Sequence, residues 1–400
     1  MARLGLTPLI EADRRYTRRI MFALRLVLVW AIAASQAVSS APQAQSQAVP
    51  EAISKPAKLS PSAISELQAK AEGGDAPAQL ALGVAYGDGN GVPQSDELAA
   101  KWYRKAAEQG NATAQNNLGI MYRTGRGVEK SKEEAVRWYR KGTKQKNANA
   151  MFNLAASYYN GDGVPTDYVA AYAWFLLAQE AGSDSAADAV KRTSAEMKPF
   201  EAAESERRIA EMYAAGVELP QNYTESAKWY RRGAEHHDAE SQVLLAAMLI
   251  TGNGVPQDYA EAKRWCEIAT KTGHAGGPYC VGYLYQRGLG VKQDSGEAIK
   301  WYRKAAESNN DRAIMILAEM YWKGQGVGVD KPEAYVWLYR ASVGGIPGAK
   351  HQAQTLWNEL SKEEIVRTDK KFKQRRLDPK KVHEFMEAPE GQPEVRKRLR

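Results

Sequence analysis

Cysteine is nearly absent from this chain of 400 residues, which has two. That excludes a disulfide-dense mini-domain and a cysteine-rich zinc array. Histidine is almost as scarce, at five. His236 and His237 sit beside the acidic Glu235 and Asp238, and His274, His351 and His383 have no partner at ligand spacing, so no metal site is expected. Gly-x-Ser-x-Gly, His-Glu-x-x-His and Ser-x-x-Lys are all missing, and with them the common hydrolase signatures. No catalytic residue and no cofactor is expected. No apolar run reaches the roughly 20 residues that cross a bilayer. The candidate, residues 20–34, is interrupted by Arg25. The net charge of +8 is concentrated in residues 1–25 and 367–400, leaving the long middle slightly acidic. A nucleic-acid binder would carry its basic stripe along the body, so no nucleic-acid partner is expected.

The first 37 residues have the layout of a secretory signal. Arg14, Arg15, Arg18 and Arg19 precede the apolar run, and Ser35-Gln36-Ala37 follows it. Cleavage after Ala37 is the expected outcome, with an uncleaved N-terminal anchor as the alternative and Met21 as a second candidate start. Residues 38–62 are rich in Ala, Pro, Gln and Ser, too apolar-poor to offset their ordering entropy, and read as a disordered linker. An exported, periplasmic protein is the expectation.

What the chain has in abundance is self-similarity. Gly-Val recurs at Gly91, Gly127, Gly163, Gly216, Gly254, Gly290 and Gly326. A tryptophan follows each: Trp102, Trp138, Trp174, Trp229, Trp265, Trp301 and Trp337, spaced 36, 36, 55, 36, 36 and 36 residues apart. Such a period marks a repeat architecture. Each unit reads as two helices. The first carries apolar residues at helical spacing, as in Leu82 and Tyr86, Leu118 and Tyr122, Leu154 and Tyr158, Tyr285, and Leu317 and Tyr321. A Gly-rich turn ends it, and the second helix carries the Trp-Tyr pair on its core stripe. That helix ends near Gly110, Gly182 or Gly273, where a left-handed cap is expected, with Asn309, Lys146 and His237 in the same slot. One helix pair cannot cover its own apolar face; the next pair covers it.

The pattern Ala-x-x-x-Leu-Gly-x-x-Tyr-x-x-Gly-x-Gly-Val followed by Ala-x-x-Trp-Tyr-x-Lys-Ala-Ala resembles the Sel1-like repeat, a relative of the tetratricopeptide repeat. Residues 78–112, 114–142 and 277–306 match it best, and the resemblance covers roughly 63–360. In repeats four and five the match is weaker: the turn is shortened to Ala215-Gly216, and Leu249 replaces the tyrosine. The resemblance implies an all-α, right-handed superhelical α/α solenoid of seven repeats acting as a protein-interaction scaffold. Family members in the bacterial envelope serve polysaccharide and secretion assemblies or regulate sensor kinases, which implies a non-catalytic adaptor role here. Extra helices are expected after repeats three and seven, at about 185–198 and 348–361, dividing the repeats into blocks of three and four. Residues 361–400 read as a charged helix opened by Ser361-x-x-Glu364 and a basic tail without fixed structure beyond about Arg376.

First helices of such solenoids line the concave face, so a protein or peptide partner is expected there. Asn117 and Asn153 hold equivalent places, with Asn116 beside the first, and two stacked amides suit an extended backbone. Tyr159 and Trp322, one residue past the repeat tyrosine, are candidate aromatic anchors. The basic stretch 370–376 is a candidate contact for anionic lipid or polymer, which gives an envelope-structural module as an alternative. Lys271-Thr272-Gly273 matches a motif of β-lactam-recognising enzymes, the enzymatic alternative, but it lacks the nucleophile and falls at a helix end. Cys266 and Cys280 lie seven residues before and after Gly273. Equal distance from a turn puts them at one height, and both a disulfide and two separate buried thiols stay open.

Overall fold

A computed structural model describes residues 58–387; the expected signal, most of the linker and residues 388–400 lie outside them. Among the described residues there are nineteen helices and no strand. The chain divides into two compact units between Trp229 and Tyr230.

The first unit begins with α1 (Pro61–Glu72), so helix starts within the segment read as linker. Three helix pairs follow: α2 (Ala76–Asp88) with α3 (Asp96–Glu108), α4 (Ala112–Thr124) with α5 (Lys132–Thr143), and α6 (Ala148–Asn160) with α7 (Tyr168–Glu180). Then come α8 (Ala186–Ala195), α9 (Pro199–Ala215) and the start of α10 (Tyr223–Glu235). The second unit takes the rest of α10, and its pairs are α11 (Ala239–Thr251) with α12 (Tyr259–Lys271), α13 (Gly276–Arg287) with α14 (Ser295–Glu307), and α15 (Asp311–Lys323) with α16 (Lys331–Val343). It closes with α17 (Ala349–Trp357), α18 (Lys362–Gln374) and α19 (Pro379–Glu387). The unit division therefore falls inside repeat four, beyond the extra helix α8, because α9 packs back on α7.

Local chemistry sets these boundaries. Asp75, Asn111 and Asn147 cap first helices, and Ser95, Ser131 and Asp167 cap second helices; each side chain accepts the backbone N–H three residues on. Each first helix then stops on a left-handed glycine, such as Gly125 at φ +78°. Second helices close on a left-handed residue as well, and Lys146 (φ +57°) and His237 (φ +68°) adopt that conformation without being glycine. The repeat tryptophans Trp102, Trp138, Trp174 and Trp337 are buried, while Trp265 and Trp301 are half-buried.

The turn of repeat four departs from the sequence reading. Gly216 (φ +66°) caps α9 as the first turn glycine does elsewhere, so Gly216-Val217 is out of frame with the other Gly-Val pairs. Glu218 stands in the second-glycine slot. It is half-buried, its Oε1 lies 3.9 Å from Nε of Arg140, and burial raises its carboxyl above the usual range while Arg140 and Lys144 pull it back.

The last described residues also differ from expectation. Residues 379–387 form α19 because Val382, Phe385 and Met386, at helical spacing, bury into the second unit's core, with Phe385 edge-on to Tyr339 at 6.0 Å. Proline and charge content alone hid that stripe. In the same unit His274 Nε2 lies 2.9 Å from Glu240 Oε2. This partner raises the imidazole above its ordinary 6.5, against the opposing effect of burial. A raised folded value stabilises fully below the unfolded value and is lost as pH climbs through the folded one. Wild type should therefore lose about 0.5 kcal/mol relative to Glu240→Gln between about pH 5.5 and pH 8.5, measured by urea unfolding. Parallel pH profiles for the two proteins would refute the assignment.

Candidate functional site

Within the first unit, successive first helices α4 and α6 approach each other directly, whereas second helices show no comparable approach. This puts α4 and α6 on the inner side of the stack at repeats two and three. The asparagines sit there, though not as parallel amides. Asn153 Nδ2 donates to Asn116 Oδ1 at 2.9 Å, and Asn116 Nδ2 donates to Asn117 Oδ1 at 3.3 Å. Burial raises the pKa of the Tyr103 phenol, Asp88 adds to that, and Asn117 opposes it. The link between repeats is thus diagonal, through Asn116. Only 4% exposed, Asn116 is an internal rung and offers no free amide to a partner. Asn117 and Asn153 are half-buried, and among the described residues Asn153 Oδ1 accepts no hydrogen bond.

Arg208 in α9 holds the place of Asn153 one repeat on. Its Nη1 donates to Asp167 Oδ2 at 2.8 Å, and Glu204 lies 3.5 Å away. Burial opposes the guanidinium's charge, but Asp167 and Glu204 outweigh it and raise its pKa. The equivalent places in the second unit hold Leu244, Cys280 and Ile316. Amide chemistry at this register is therefore confined to the first unit.

The two aromatic candidates are engaged elsewhere. Tyr159 packs edge-on against Tyr168 with centroids 5.3 Å apart. Trp322 Nε1 donates to Glu359 Oε2 at 3.1 Å, and that carboxyl is held below its usual range by Trp322 and then Lys331. Both are half-buried and serve local packing, so neither stands out as a free anchor. The basic stretch is partly internal too: Phe372 is fully buried, and Lys371 and Arg375 both hold Glu333, at 2.9 and 2.8 Å. Lys271-Thr272-Gly273 is the end of α12, with Gly273 at φ +83° making the turn.

Cys266 and Cys280 are joined in a disulfide between α12 and α13, with Cα atoms 5.8 Å apart. No group of three or more metal-ligating side chains is found among the described residues.

Sequence reasoning missed the polar joints between repeats. Arg104 Nη2 donates to the Tyr122 hydroxyl at 2.7 Å and Arg140 Nη2 to the Tyr158 hydroxyl at 2.8 Å; Arg303 makes the same bond to Tyr321. The signal was present: an arginine two residues after the tryptophan, eighteen before the next repeat tyrosine. Glutamines add a second ladder, in which Gln115 Nε2 caps the Ala107 carbonyl at 3.0 Å and Gln145 reaches Gln115 at 3.1 Å.

Helix pairs at a fixed period, joined by these polar rungs, define a helical-repeat solenoid. Residues 76–111, 112–147, 148–183, 203–238, 239–274, 279–310 and 311–342 match the Sel1 repeat, and the chain belongs to the Sel1 repeat family. Proteins of this family are generally non-catalytic protein–protein interaction scaffolds. The chain is similar to c5321, a protective antigen of uropathogenic Escherichia coli strains displaying an SLR fold, at 32% identity over 78% of this chain and 63% of that one, with a TM-score of 0.41. It is also similar to a Sel1 repeat protein of Oxalobacter formigenes, at 28% identity over 66% of this chain and 96% of that one, with a TM-score of 0.35. The chain thus spans less than two thirds of the length of the E. coli antigen. No curated protein matches it.

Proposed function

We propose that the chain is an exported, non-catalytic adaptor of the bacterial cell envelope that holds an extended segment of a partner protein on the first helices of repeats two and three. The observation that carries this reading is the amide relay from Asn153 through Asn116 to Asn117. Its members are fixed by one another, so little side-chain entropy is lost on binding. Asn153 Oδ1 is left to accept a backbone N–H from a peptide. Export rests on the basic and apolar layout of residues 14–37, and a Cys266–Cys280 bridge suits an oxidising compartment.

The test is affinity capture from the envelope fraction with the full chain and with Asn117→Ala/Asn153→Ala. A specific protein should be recovered with the first, and its affinity for the double variant should be at least about 10-fold weaker. Equal recovery with both would move the site away from the asparagines. Cell fractionation with N-terminal sequencing checks the compartment: the expected mature chain begins just after Ala37, and a cytoplasmic chain would defeat the envelope assignment.

A further inference from the structure

The second unit contains a feature that the groove does not use. Between α16 and the end of α18 lies a half-open pocket of about 230 Å³. That is below the roughly 300–1,000 Å³ of sites for drug-sized ligands and has room for about one apolar side chain. Its apolar wall is made by Val336, Trp337, Val343 and Leu377, and two guanidiniums, Arg340 and Arg375, also line it.

The charges of this pair are incompletely matched. Arg340 Nη2 donates to Asn309 Oδ1 at 2.9 Å and to the Glu307 backbone carbonyl at 3.4 Å; both acceptors are neutral, and among the described residues no carboxylate makes an ion pair with it. The guanidinium instead lies 5.6 Å from the Trp337 ring centroid. Burial lowers its pKa, Glu307 opposes that, and the like charge of Arg375 adds to it. Arg375 donates to Glu333, but Glu333 is nearly buried and already holds Lys371. Glu333 is thus shared by Arg375 and Lys371, and Lys371 also holds Asp330 at 3.3 Å, while Arg340 makes no ion pair among the described residues. An anion placed in the pocket would meet two guanidiniums, the geometry that favours a planar carboxylate.

We propose that this pocket binds the C-terminal residue of a polypeptide, its free carboxylate between Arg340 and Arg375 and its apolar side chain against Trp337, Val336, Val343 and Leu377. The apolar wall disfavours a bare inorganic anion, which would leave it uncovered. The small, half-open volume disfavours a long acyl chain, most of whose methylenes would stay in water. The inference stands apart from the asparagine groove and survives its failure.

Calorimetric titration of the full chain with acetyl-Ala-Ala-Leu tests it, alongside the same peptide as its C-terminal amide and alongside octanoate. The free acid should bind, and the amide at least about 10-fold more weakly, because one charge-assisted pair is lost. Arg340→Gln should weaken the acid by about the same factor and leave the amide unchanged. Val343→Asp should abolish acid binding by placing a like charge in the wall. Both variants should unfold at the wild-type temperature, which separates lost recognition from lost folding; should either unfold early, Arg340→Met and Val343→Glu take their places with the same expected losses. Equal binding of acid and amide, acid binding unaffected by the Arg340 change, no binding of the acid, or octanoate binding tighter than the peptide would each overturn the proposal.

Discussion

Gly127→Ala should unfold the first unit at markedly lower denaturant than wild type, with a loss of about 3–5 kcal/mol. Two causes add. The residue sits at φ +64°, where a side chain costs about 1–2 kcal/mol. A Cβ built there would also lie 2.1 Å from the Asp96 carbonyl oxygen and 2.3 Å from its carbon. These are backbone atoms at the start of α3, one repeat earlier, so relief requires the two repeats to part. Gly163 meets Lys132, and Gly326 meets Ser295, in the same way. The second turn glycine is therefore the joint between neighbouring repeats, and in a solenoid the coupling between neighbours carries much of the stability. Gly110→Ala supplies the control. Gly110 has φ +95° but nothing within 4 Å of an added Cβ, so it should lose only the conformational share, about 1 kcal/mol. Urea unfolding of both variants decides the matter: equal losses would mean that the close approach carries no energy.

That joint explains which parts of the molecule could be read from sequence. Features that repeat at the period were legible, because seven copies average away local accidents. The left-handed turn glycines and the core tryptophans belong here. Glu218 shows the limit. It breaks the frame at a single repeat, where α8 intervenes, and a Gly-Val dipeptide two residues early imitated the pattern. The candidate groove was half legible. Equivalent spacing put Asn117 and Asn153 on one face, but the bond between repeats runs diagonally to Asn116, which depends on how far α6 is rotated against α4. Spacing does not carry that angle. Spacing alone makes Trp322 and Tyr159 candidate anchors, because their partners, Glu359 and Tyr168, lie outside the helix on which each sits.

Removal of the Cys266–Cys280 bridge should lower the stability of the second unit by about 2–3 kcal/mol. The sequence separation is 14 residues, a loop for which the chain-entropy argument gives roughly 3 kcal/mol. Both cysteines are buried, at 0% and 7% exposure, so little of that gain is offset by desolvating polar atoms. The helices they join also approach closely, since a Cβ at Gly277 would lie 2.7 Å from the Cys266 carbonyl oxygen. Loss of the bond alone therefore leaves a packed joint, and Cys266→Ala/Cys280→Ala should weaken the fold without abolishing it. Reduction of wild type by dithiothreitol should give the same shift in urea midpoint, and the double variant should be indifferent to the reductant. Local hydrogen exchange in α12 and α13 should rise in step, while α4 and α6 remain unchanged. If reduction leaves the wild-type midpoint where it was, the bridge adds nothing to packing that the helices already have. Cys280 also occupies the register place that Asn117 and Asn153 hold in the first unit. One register position thus presents linked amides in repeats two and three, and serves covalent closure where repeats five and six meet.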